Sequence, residues 1–237
     1  MPPKHFLTSN FRVAFEEYFK PDQQRSAVDN LQEHIATIRD GTEEQRREQS
    51  VLRPQDTTQE QMDARVAAHL DKCYWQLAQF YRYSNPCRIA EAEPCLREVL
   101  RYAREKNAKR DVNPELYLAV AIHAVPGKEQ EALDIFASAF DFVDIDDAPP
   151  PGPRSELWAR ASWARLLRKM DRTSEAGAQE AAILNWALAH PLVLSPAKLK
   201  ALVGDETDSG FLNNISENPD LLAAVERARE RARGRKD

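Results

Sequence analysis

His69 and Cys73 stand four residues apart in "ARVAAHLDKCYWQLAQFYR", the one-turn spacing that lets an imidazole and a thiol face one ion from the same side of a helix. A zinc ion needs two further ligands in space. Cys87 and Cys95 could supply them, but no C-x-x-C pair occurs and the sequence predicts no metal site. Asp144, Asp146 and Asp147 gather in "DIDD", and oxygen ligands of that kind can hold Mg2+ or Ca2+. They precede "APPPGP" without the glycine spacing of a dedicated loop, so they read as a solvated acidic linker. No G-x-x-x-x-G-K-[ST], G-x-S-x-G or H-E-x-x-H occurs, and no catalytic residue or cofactor is expected. The enzymatic alternative is a catalytic or small-molecule-binding all-α domain, which would need a closed apolar pocket with convergent polar groups.

The elements that would position such residues are helical. Among 237 residues there are 33 alanines and only 7 glycines, and alanine loses least on helix formation while glycine loses most. Apolar residues make up 42% and charged residues 30%, enough for a core. A net charge of -5 provides no general attraction to nucleic acid or anionic membrane. No apolar run is long enough to span a bilayer, and the opening residues lack the apolar core of a secretory signal. The 3 cysteines then read as reduced thiols, and the expected compartment is the cytoplasm, with the nucleus as the alternative.

Apolar residues recur at three- and four-residue spacing along most of the chain. Phe11, Phe15, Tyr18 and Phe19 share one face, and Val28, Leu31, Ile35 and Ile38 share another before Gly41, so residues 1–40 read as a helix pair. Residues 41–57 carry few apolar side chains and read as a polar linker, with a solvated helix as the alternative. A long stripe from Met62 through Val66, Leu70, Cys73, Tyr74, Leu77 and Tyr81 follows, and a second carries Ala92, Leu96, Val99 and Tyr102. Further helix pairs are expected at about 114–125 with 128–142, split by Pro126-Gly127, and at about 155–170 with 173–190. Residues 192–237 read as two closing helices, bounded by Ser195-Pro196 and Gly204 and by Asn218-Pro219 and Gly234. No period-2 strand is found, so the fold class is all-α.

Tyr74-x-x-Leu77-Ala78-x-x-Tyr81 resembles the first-helix signature of a tetratricopeptide repeat, an aromatic, a Leu-small pair and a second aromatic. Ala132, Phe136 and Ala139 resemble its second-helix pattern. Trp163, Ala164 and Leu167, with Ala176, suggest a third unit. The resemblance spans residues 58–191 as three hairpins and implies a right-handed solenoid with flanking capping helices. Equivalent first helices start 42 and 44 residues apart, counted on Tyr74, Leu116 and Arg160, against the usual ~34. His123 fills an aromatic slot and Val120 one that prefers a smaller residue.

The resemblance implies a job in protein binding, as an adaptor or assembly factor, with the partner on the inner face of the first helices. Carried over residue by residue, that face holds Lys72, Trp75, Gln79 and Arg82, then Tyr117 and Ala121, then Trp158, Ala161, Arg165 and Arg168. Large aromatics beside cations suit a protein or peptide segment with acidic and apolar side chains. A clamp for chaperone carboxyl termini is not implied, since its slots hold Trp75, Gln79, Leu118, Trp158 and Ser162. The ending "ERARERARGRKD" places arginines where they complement a helix C-terminus. Nucleic-acid contact through it is the second alternative, disfavoured by interleaved acids and missing aromatics. Assembly with a second copy of the chain stays open, and a membrane partner is not expected.

Overall fold

The computed structural model describes residues 24–84, 88–105, 110–143 and 154–190, together with single positions between 223 and 234. The expected helices around Phe11–Phe19 and Ser195–Gly204, the "DIDD" stretch and Cys87 lie outside the described residues. No strand occurs among the described residues, and the all-α expectation holds. No helix among them is long and apolar enough to cross a membrane. The chain divides into two compact units, Met1–Arg110 and Asp111–Asp237, a boundary inside the span expected to form one array.

In the first unit, α1 (Gln24–Asp40), α2 (Glu43–Glu48), α3 (Gln59–Tyr83), a short 3-10 turn (Ile89–Ala92) and α4 (Glu93–Glu105) follow one another. The central packing element is α3, which contacts α1, the 3-10 turn and α4. The α1 stripe buries Ala27, Val28, Leu31, Ile35 and Ile38, as its spacing predicts. The second half of α3 is covered on nearly every side. Cys73, Tyr74, Leu77, Ala78, Phe80 and Tyr81 are all buried, and so are Gln76 and Gln79. Tyr74 stacks on Tyr102 of α4, with ring centroids 6.4 Å apart. The Tyr81 hydroxyl accepts a hydrogen bond from Gln32 Nε2 at 2.8 Å. Pro94 falls in the first turn of α4, where its missing N–H costs nothing.

The stretch read as a polar linker or a solvated helix begins with a short helix, α2, that buries no residue, and continues as a packed turn. Thr42 and Gln45 form a reciprocal capping box on α2, and Thr58 and Gln61 repeat it on α3. Arg46 donates to the carbonyls of Ile38 and Arg39, groups left over at the end of α1. Arg47 donates to the carbonyls of Arg53 and Asp56. Beneath them Val51, Leu52 and Asp56 are buried. The Asp56 carboxylate accepts from the Arg53 backbone N–H at 2.7 Å and lies 3.5 Å from Arg65. Two arginines and two capping boxes thus do what apolar side chains do elsewhere.

In the second unit, α5 (Val112–Ile122) pairs with α6 (Glu129–Phe140), and α7 (Arg154–Lys169) pairs with α8 (Thr173–Ala189). α7 also packs against both α5 and α6. Gly127, at φ +81°, supplies the left-handed turn between α5 and α6. From Leu116 to Ile122 every residue of α5 is buried. Ala132, Phe136 and Ala139 of α6 pack with no exposed surface, as do Leu157 and Ala159 of α7.

Two glycines make opposite demands. A Cβ on Gly41 would lie 2.1 Å from the Thr37 carbonyl oxygen, so α1 ends there by close backbone approach and not by a left-handed cap. Gly177 sits inside α8 with nothing near its missing Cβ. Gly41→Ala should therefore destabilise the protein by about 1–3 kcal/mol, and Gly177→Ala should stabilise it by about 0.5–1 kcal/mol. Urea midpoints that move in the same direction for both variants would contradict this.

Candidate functional site

The residues expected to face a partner are distributed over both units. On α3, Lys72 is exposed, Trp75 and Arg82 are half-buried, and Gln79 is buried. On α5, Tyr117 keeps 2% of its surface and Ala121 1%, so neither offers a contact surface. The reason is local: α5 is apolar all round, and such a helix is covered on every face. Tyr117 instead meets Trp158 edge to face, with centroids 5.5 Å apart, and ties α5 to α7. On α7, Trp158 and Arg165 are half-buried and two helical turns apart, Ala161 is buried, and Arg168 is exposed one turn further on. Arg168 makes a two-pronged pair with Glu180 of α8, at 3.0 and 2.7 Å. The Arg168 side chain is 45% exposed and that of Glu180 13%, so the pair lies at the edge of the surface with its guanidinium reachable from solvent.

An aromatic stack beside this strip was not read from the sequence. Trp163 of α7 lies parallel to Phe140 and Phe136 of α6, at 5.4 and 6.0 Å. The Arg160 guanidinium sits over the Phe140 ring at 4.2 Å and donates to Gln179 at 2.6 Å. Burial pushes the Arg160 pKa below its ordinary value. The stack braces α7 from the side away from Trp158, and so fixes the direction of the Trp158–Arg165–Arg168 strip.

The first unit brings together a different set. His34 of α1 reaches His69 of α3, with Nε2 atoms 2.9 Å apart and ring centroids at 5.3 Å. One Nε2–H donates to the lone pair of the other ring, so the accepting imidazole carries its single proton on Nδ1. Cys73, one turn beyond His69, completes a trio whose ligand atoms all lie within 4.8 Å of one another. His34 and Cys73 are buried and His69 is half-buried. Cys95 is not a member of this group, being buried elsewhere on α4.

Burial controls the charge state of the trio. It lowers the His34 pKa. It lowers that of His69 to about 4, with the positive charges of His34 and Lys72 adding to the effect. It raises the Cys73 thiol to about 12, with Lys72 acting slightly the other way. At neutral pH all three groups are uncharged. His34 escaped the sequence reading because it lies on a separate helix from His69. Its one signal was position, a histidine on the stripe formed by Leu31, Ile35 and Ile38.

The chain matches no protein-family model, no curated protein and no solved structure.

The depressed histidines make metal-free stability depend on acid. As pH falls from about 6.5 the unfolded chain takes up protons first, so stability should fall until about pH 4 and then level off for this group. Denaturation of chelator-treated protein should show this decline, and His69→Asn should flatten it. An equal slope in wild type and variant would assign the acid sensitivity to other groups.

Proposed function

We propose that the protein binds a partner protein segment, as an adaptor or assembly factor, using tetratricopeptide-like helical hairpins. The supporting observation is the environment of α7. It pairs with α8 while also packing on both α5 and α6, the neighbour pattern of stacked hairpins, and yet Trp158, Arg165 and Arg168 are left short of burial. Large aromatic and guanidinium groups provide most of the binding energy at protein interfaces, since each covers wide area and keeps a polar handle. A partner supplying carboxylates beside an apolar anchor complements this strip, with the anchor against Trp158 and the carboxylates on Arg165 and Arg168. Tyr117 supports the strip from beneath and does not meet the partner itself.

The test is a native pull-down with mass spectrometry, followed by affinity measurement on the recovered partner. Arg165→Ala with Arg168→Ala should weaken that partner about tenfold or more, about 1.4 kcal/mol. The melting temperature should stay within a few degrees, because the Arg168 side chain stays 45% exposed. Glu180→Gln, which removes the carboxylate competing for Arg168, should strengthen the same interaction. Identical protein sets retained by wild type and the double variant would overturn the assignment.

A further inference from the structure

We infer that His34, His69 and Cys73 form a binding site for a thiophilic d10 metal ion, Zn2+ or Cu+, at the contact between α1 and α3. The donor set itself points this way. Two imidazoles and one thiol are the ligands that zinc and cuprous copper prefer, and Mg2+ or Ca2+ would require oxygen. Geometry agrees. With metal–nitrogen bonds of about 2.0–2.1 Å, a tetrahedral ion holds two nitrogens about 3.3 Å apart. The Nε2 atoms of His34 and His69 are already 2.9 Å apart, and the whole group lies within 4.8 Å. For the two nitrogens the move from hydrogen-bonded pair to ligand pair is thus a few tenths of an ångström, while Cys73 Sγ, within 4.8 Å of them, would close to the roughly 3.6 Å that tetrahedral bonds require.

Placement strengthens the case. His69 and Cys73 share one face of a long, well-packed helix, and His34 comes from the helix packed on it. Two of the three positions in the chelate are therefore set by helical spacing, and the third by the burial of Leu31, Ile35 and Ile38. Binding requires the shared Nε2–H to move to Nδ1 of the same ring, so that both Nε2 lone pairs face the ion. The Cys73 S–H proton leaves to solvent as the metal–sulfur bond forms, one proton per ion. Half-buried His69 marks the side by which a water could complete a zinc site. With one thiolate, Cu+ gives a neutral three-coordinate centre, and Zn2+ keeps one positive charge in the neighbourhood of Lys72.

The experiment uses the full chain, stripped with chelator and reduced, and titrated with Zn2+, Co2+ or Cu+ alone. One equivalent of Zn2+ or Cu+ should bind and raise the melting temperature by several degrees, and the ion that binds more tightly identifies the preferred metal. Co2+ should show a thiolate-to-metal charge-transfer band together with the strong visible bands of four-coordination. Cys73→Ser should abolish the charge-transfer band, and Cys73→Ser and His34→Gln should each weaken metal binding by at least about 100-fold. Circular dichroism in chelator checks that the variants fold. If either unfolds, the wild-type cobalt spectrum still decides: absence of a sulfur charge-transfer band overturns the site. Uptake unchanged by both folded substitutions overturns it equally, and would assign the ion to other groups of the chain.

Discussion

Close approach of helices through small residues is the constraint on which the rest of this structure depends. Ala78, Ala92, Ala119, Ala132, Ala139, Ala159 and Ala176 have no exposed surface at all. Where an alanine faces a neighbouring helix the axes can come near the lower end of the usual ~8–10 Å range, and leucines and aromatics from either side fill the space around it. Each of the two candidate sites needs that proximity. The 2.9 Å separation of His34 and His69 exists because α1 lies directly on α3. Tyr117 reaches Trp158 because α7 lies directly on α5. A larger side chain at the contacts would spread the helices and dissolve both arrangements while leaving each helix intact.

Packing this dense leaves polar groups with few places to go, and the chain handles them in three ways. Arginines at the ends of helices are turned back onto spare carbonyls, as Arg46 is on Ile38 and Arg39. One arginine is stacked on an aromatic face, where its weakly hydrated guanidinium tolerates partial burial, as Arg160 does on Phe140. The third way is neutralisation, and it belongs to the buried trio. His34, His69 and Cys73 shed or keep protons so as to carry no charge.

Periodicity made the helices legible before any coordinates. The helix expected from the Val28, Leu31, Ile35 and Ile38 face is found at Gln24–Asp40, and the hairpins at about 114–142 and 155–190 begin and end within a few residues of their places. Pro126-Gly127 located a turn because glycine alone takes its backbone angle without strain. The segment 41–57 was less legible, since what holds it is arginine-to-carbonyl bonding, which hydrophobic patterning does not register. Register carried over from the repeat resemblance located Trp158, Arg165 and Arg168 on one strip of α7. It gave no sign that Tyr117, Ala121 and Gln79 would be buried, because it ranks positions within one helix and is silent on the neighbours that cover it. For the same reason His69 and Cys73 could be paired on their helix, while the third ligand, His34, required the packing of α1 on α3.

The two sites place opposite demands on their surroundings, and their surroundings differ accordingly. The proposed partner strip would need to keep its polar handles in reach of solvent, and Arg168 keeps nearly half of its side chain exposed, 45%, while paired with Glu180. The proposed metal site in a helical core must instead hold its donors close together, and the α1–α3 contact does this with apolar residues on either side of His34. The same charge that serves one place would harm the other. A guanidinium beside His69 would oppose an incoming cation, and a buried imidazole pair on α7 would offer a partner's carboxylates no charge at neutral pH. Lys72, exposed on α3 one turn from Gln76, sits where its stem leads the charge toward solvent. Its charge would weakly oppose an incoming divalent ion. Between the two d10 ions that balance favours monovalent copper over zinc, since Cu+ with one thiolate leaves no net charge for Lys72 to repel.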